Sequence, residues 1–146
     1  NNIKYSKFHN NTNTGIYLYN SDRIELNKNN CSYNSNINIY LVSVRNSSIN
    51  DNILFNSKYG MKIYNSSNMS IYNNSIKNSS SFSIYIIKNI NNTISNNTIE
   101  DGNNGIYLYT SHYNTVTYND FYNMTGTAVY NDPNNRNNTI SNNNSY

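Results

Sequence analysis

The chain has 146 residues and a net charge of +3; 36% of it is apolar, only 12% is charged, and about a quarter of all positions are Asn. A compact layered domain would carry more apolar material, yet 16 Tyr and regularly spaced Ile set the chain apart from disordered sequence, which has few aromatics and high net charge. Lys and Arg are scattered without a basic block, which weighs against a nucleic-acid partner, and no run of about 18 apolar residues is present to insert in a membrane.

A period of 22–23 residues runs through the chain, and such a period decides the architecture before any local assignment. Residues 1–14 fit as a partial coil, with Ile3 and Phe8 in two apolar slots. Full coils then start near Gly15, Asn38, Gly60, Ser83, Gly105 and Thr127, in steps of 23, 22, 23, 22 and 22 residues. One residue past each start come Ile16, Ile39, Met61, Ile84, Ile106 and Ala128. Two further on come Leu18, Leu41, Ile63, Ile86, Leu108 and Tyr130. Apolar residues at alternate positions predict a strand with one buried face. A second slot follows at Leu26, Ile49, Ile71, Ile94, Val116 and Ile140, and a third at Cys31, Leu54, Ile76, Ile99, Phe121 and Ser145. The last coil is longer beside Asp132-Pro133, and Pro belongs outside a paired strand. One repeat of three short strands cannot bury its own apolar face. Repeats stacked about 4.8 Å apart can, which predicts an all-β solenoid of about six coils forming one domain over the whole chain.

Three residues past the second slot, every full coil places Asn: Asn29, Asn52, Asn74, Asn97, Asn119 and Asn143. Asn tolerates left-handed backbone in a turn, and stacked amides can hydrogen-bond from coil to coil as a ladder. A structural role accounts for this column. The pattern G-I-x-L … N-T-I-x-x-N-x-I, carried by Gly105–Leu108 and Asn92–Ile99, resembles the repeats of NosD-like periplasmic proteins. It is also similar to repeats in Asn-rich adhesin-like surface proteins of methanogenic archaea. The resemblance implies a right-handed parallel β-helix and an extracellular or cell-surface setting. The same scaffold also carries polysaccharide-degrading enzymes and purely structural rods.

Chemistry is sparse. The seven acids, Asp22, Glu25, Asp51, Glu100, Asp101, Asp120 and Asp132, place no two side chains in the same slot of adjacent coils, whereas a glycosidase needs a carboxylate pair. His9 and His112 lie in different slots five coils apart, and Cys31 is the only cysteine, so no metal-ligand spacing and no cofactor site is expected. Cys31 occupies an apolar slot and reads as a small buried hydrophobe.

Two outward columns of Tyr remain: Tyr17, Tyr40, Tyr85 and Tyr107, interrupted by Lys62, and Tyr19, Tyr64 and Tyr109 two residues on. A rigid aromatic face can stack on sugar rings or meet another protein; equally, Tyr favours strands and fills stacked columns. Sequons of the form N-x-S/T are abundant, and those at Asn10, Asn46, Asn65, Asn78, Asn91, Asn123 and Asn137 are candidate glycosylation sites on loops.

The expected function is a non-enzymatic structural or adhesive surface module, partnered by copies of itself or other envelope proteins. Its uncapped coil edges suggest end-to-end association, continuation into further repeats, or a filament. A domain that binds or processes surface polysaccharide is the alternative. The absence of an initiating Met and of a signal peptide suggests a mature product or a fragment.

Overall fold

The computed structural model describes residues 1–146 and contains strands, turns and bends but no helix; no helix is therefore long and apolar enough to cross a membrane. Every named strand pairing is parallel and joins residues one coil apart. The second slot stacks as Ile3, Leu26, Ile49, Ile71, Ile94, Val116 and Ile140 in a seven-stranded sheet. The third slot and the coil-start strands form the larger sheet, of eleven strands with side branches. The chain is a parallel β-helix of about six turns, with its core inside the coil.

That core is one cluster of 22 residues, mostly Ile and Leu, supplied by the alternating positions. Each such side chain, once fully buried, contributes roughly 1.5–3 kcal/mol. Four columns of corner residues turn the chain between strands. Twenty-four residues other than Gly have positive φ, and thirteen of them are Asn. Left-handed backbone costs an ordinary side chain about 1–2 kcal/mol, a strain that Asn relieves by local hydrogen bonding. Much of the chain's Asn content follows from these corners.

The ladder asparagines are not themselves the left-handed residues, contrary to the sequence expectation. The residue before each one is: Lys28, Asp51, Asn73, Asn96, Tyr118 and Asn142 have φ between 53° and 56°. The corner needs an inverted φ to turn, and the next side chain is then free to point inward and bond.

Two strands, Ile53–Tyr64 and Ser75–Ile87, keep pairing with each other through a corner that divides the strands of the other coils. Their register slips between Ser79 and Phe82, where the later coil carries one more residue than its partner. That bulge is one source of the alternation between 22 and 23.

The last coil starts one residue later than the spacing placed it. Val129, not Ala128, pairs with Ile106, and Tyr130 pairs with Tyr107. The slip continues the aromatic stack and sets Val129 over the core column. Asn131 then accepts from Asn135 and Asn138 at 2.8 Å each. The inserted residues close a turn in which Asn135 N donates to Asp132 O, with Pro133 outside the strands.

Candidate functional site

The outward face of the coil-start strands carries the molecule's main concentration of aromatic rings. Register aligns Tyr17, Tyr40, Lys62, Tyr85, Tyr107 and Tyr130 in one column. Tyr17 lies 5.3 Å from Tyr40, and Tyr85 lies 5.6 Å from Tyr107. Tyr107 stacks on Tyr130 at 4.3 Å and 14°. Two further rings fill the middle: Phe82 is 4.8 Å from both Tyr85 and Tyr107, and Tyr59 is 6.0 Å from Phe82 and 6.1 Å from Tyr85. Lys62 bridges the two groups, its Nζ 5.4 Å from the Tyr40 ring and 5.6 Å from Tyr59. These spacings lie within the range of favourable ring–ring and cation–ring contacts.

Tyr59, Phe82 and Tyr130 were not legible as members of this row. Tyr59 and Phe82 precede the strand's alternating part, in a column that also holds Thr14, Ile37 and Asn104. Only the register reveals them. The second Tyr column is different. Tyr19, Tyr64 and Tyr109 are separated by Val42 and Ile87, so they border the aromatic row without forming a stack of their own.

Packing raises the phenol pKa values. Burial pushes Tyr40 up, helped by nearby Tyr17 and Tyr64. Burial does the same to Tyr85, with Tyr59 and Tyr109 adding to it. Tyr107 rises through desolvation first, then through Tyr130, Tyr85 and Asp132. These hydroxyls stay protonated at neutral pH and remain available as donors.

A polar trough follows the corner residues that lead into Tyr59 and Phe82. One stretch, about 630 Å³, is lined by residues including Asn78, Asp101, Asn103 and Asn123. A neighbouring stretch, about 340 Å³, shares Asn56, Asn78 and Ser80 with it and includes Lys58. Lys77 pairs with both Glu100 and Asp101 at 3.1 Å. Hydrogen bonds from Lys77 and then Asn123 hold the Asp101 carboxyl below the usual carboxylate range.

The six slot asparagines form a continuous ladder. Nδ2 of Asn29, Asn52, Asn74, Asn97 and Asn119 donates to Oδ1 of the next member at 2.9–3.1 Å, ending on Asn143. Each amide also reaches the carbonyl of a second-slot residue in the preceding coil, as Asn52 does to Leu26. Further buried polar columns stand at other corners: Asn92, Asn114 and Asn138 form one, and Ser66, Asn89, Ser111 and Asn135 another. The latter mixes Ser and Asn, so no single residue type repeats along it. These columns satisfy turn backbone and offer little to a ligand.

The seven candidate sequon asparagines named above, Asn10, Asn46, Asn65, Asn78, Asn91, Asn123 and Asn137, sit at left-handed corners. A corner Asn followed two residues later by Ser or Thr writes a sequon as a by-product of turning the chain.

The acids are engaged one by one. Glu25 pairs with Lys4, and Asp22 with Arg23. Asp51 accepts from Asn27 and Asn50, Asp120 from Asn144, and Asp132 from Asn134. No three His, Cys, Asp or Glu side chains gather as a metal-binding group. Cys31 is fully buried, and burial pushes its thiol up to about 12. His9 and His112 are occupied with Asn10 and with the Arg136 backbone.

No curated protein sequence matches the chain. Its fold is similar to that of a mutant of the periplasmic alginate epimerase AlgG, with a TM-score of 0.77 and 11% identity, over 99% of this chain and 39% of that one. It is also similar to PfbA, a surface adhesin of Streptococcus pneumoniae, with a TM-score of 0.55 and 14% identity, over 88% of this chain and 45% of that one. The chain thus spans less than half of either protein, and at these identities the likeness is one of fold. A family model described as periplasmic copper-binding protein (NosD) matches residues 1–145, and the chain belongs to that NosD family.

Proposed function

We propose that this chain is an adhesive module of the cell envelope or surface that holds polysaccharide along its aromatic row. The observation that carries the reading is the row itself: seven rings, from Tyr17 to Tyr130, joined through Lys62 into one path along the axis. Rings held by a rigid sheet lose little entropy on contact and stack on the apolar faces of sugars. The trough of Asn and Ser beside them supplies hydrogen-bonding groups for hydroxyls. The envelope setting draws support from the family and from the periplasmic and surface settings of the two proteins of similar fold.

Binding is favoured over catalysis because the seven carboxylates are spread around the coil and engaged with Lys, Arg or Asn. The family description names copper, but the residues here do not fit it. Copper sites draw on clustered thiolate, thioether or imidazole donors; Cys31, Met61 and Met69 are sealed in the core, Met124 is the one remaining, partly buried thioether, and the two histidines lie far apart along the chain.

A screen against a panel of soluble glycans, with Tyr85→Ala and Tyr107→Ala as controls, tests the reading. Binding that both substitutions abolish supports it; a chain that binds no glycan in the panel refutes it. Self-association belongs to the same proposal. Electron micrographs of the purified protein showing rods or filaments support it, and isolated single particles remove it.

A further inference from the structure

We infer that the face selects an acidic polysaccharide, a polyuronate, with Lys58, Lys62 and Lys88 reading its carboxylates. This inference rests on the polysaccharide reading above and names the ligand class. Lys58 Nζ lies 5.4 Å from the Tyr59 ring, and Lys62 Nζ lies over both Tyr40 and Tyr59. Lys88 Nζ lies 5.7 Å from the ring of Tyr64, which borders the row. None of the three has a carboxylate partner, since the ion pairs engage only Lys4, Arg23 and Lys77 among the basic side chains. Of the nearby acids, Asp132 lies toward the far end by Tyr107, is only 8% exposed and already accepts from Asn134, and Asp101 in the adjoining trough is paired with Lys77.

The centre of the row and its border therefore hold three ammonium groups on aromatic rings, none of them paired with a carboxylate. An ammonium resting on a ring still presents N–H donors to an anion. A neutral glycan would use the rings and leave these charges idle, whereas a uronate polymer uses both. The cations are few, with Lys58 and Lys62 on one strand and Lys88 just past the end of the strand paired to it, which suits one charge per sugar better than a densely sulfated chain. Single-stranded nucleic acid also stacks on aromatics, but a groove tracking its backbone needs positive charge along its whole length. Here the first coil and the last two carry no Lys or Arg in the row's own column.

The test measures binding of the intact chain to polygalacturonate, to the same polymer with its carboxyls reduced to alcohols, to dextran sulfate and to oligothymidylate. The expected result is roughly ten-fold tighter binding to polygalacturonate than to its reduced form. That preference should shrink in roughly 0.5 M salt, where exposed charges are screened. The triple variant Lys58→Gln, Lys62→Gln, Lys88→Gln should lose the preference yet still bind the reduced polymer, while Tyr85→Ala should weaken both. Equal affinity for the two forms in the unaltered protein overturns the inference and leaves the polysaccharide reading standing. Binding to neither form, in the presence or absence of salt, overturns both. Tighter binding to dextran sulfate or oligothymidylate, insensitive to Tyr85→Ala, marks general polyanion attraction and also overturns the inference.

Discussion

Asn74 donates from Nδ2 to Asn97 Oδ1 at 3.0 Å, while its own Oδ1 accepts from both the backbone N and the Nδ2 of Asn52 at 3.0 Å. A second proton of the same amide reaches Ile49 O at 2.9 Å. One side chain thus ties together several groups in neighbouring coils, all buried. Truncating it as Asn74→Ala strands those groups, and each buried group left unsatisfied costs about 1–3 kcal/mol. We predict a total loss of about 3 kcal/mol and a thermal midpoint lower by roughly 10 °C. Circular dichroism melts measure this directly; a midpoint within a degree of the parent would show that the ladder does not stabilise the fold.

Tyr118 occupies the same left-handed corner as Asn73, Asn96 and Asn142, with φ of 55°. The residue is 57% exposed, so little packing offsets the backbone strain. Tyr118→Asn replaces a side chain ill suited to this φ with one that tolerates it, and should stabilise the protein by about 0.5–1 kcal/mol. The thermal midpoint should rise by a few degrees. A fall would mean that the Tyr118 ring contributes more than its exposure indicates.

The coil and its three apolar slots were legible because burial leaves a period that no local propensity produces: Ile49, Ile71 and Ile94 recur at the register that pairs them. The Tyr columns were legible for the same reason. Side chains whose positions depend on corners were not. Tyr59 and Phe82 join the row through a corner that changes length between coils, so counting from the next apolar residue misplaces them. Tyr130 slid by one because both Ala128 and Val129 can fill an inward slot, and the choice is made by stacking on Tyr107. The three cations of the face could be named in the sequence, but their lack of partners required knowing where every carboxylate goes.

Gly105 begins the fifth full coil, where the backbone of the last coil passes close by. A Cβ there would run into the Ala128 carbonyl and the edge of the buried Phe121 ring. The carbonyl belongs to backbone and cannot rotate away, and Phe121 is fully enclosed. Gly105→Ala should therefore destabilise by about 2–3 kcal/mol, as overpacking does elsewhere. Because the shift required lies under Tyr107 and Tyr130, it should also weaken glycan binding. Chemical denaturation of this variant checks the first part; an unchanged midpoint would show that the last coil moves aside freely.

Cys31 stands between Phe8 and Leu54 in the third-slot column and has no exposed surface. Burial raises its pKa from 9.0 to about 12. In the unfolded chain the thiol loses its proton at lower pH than in the folded one. The stabilisation from keeping it neutral is thus fully present below pH 9 and is lost as pH rises toward 12. Tyr40, Tyr85 and Tyr107 shift upward too, so they add to the same alkaline loss at and above the ordinary phenol range. Two outcomes follow. A soluble disulfide reagent should leave Cys31 unmodified in the folded protein at pH 8 and react at once in denaturant. The urea midpoint, free of a thiol contribution to its slope below pH 9, should fall steadily above it. A rise in stability between pH 9 and 11, or rapid modification of the folded chain, would place Cys31 outside the core and break the stacking register that puts it there.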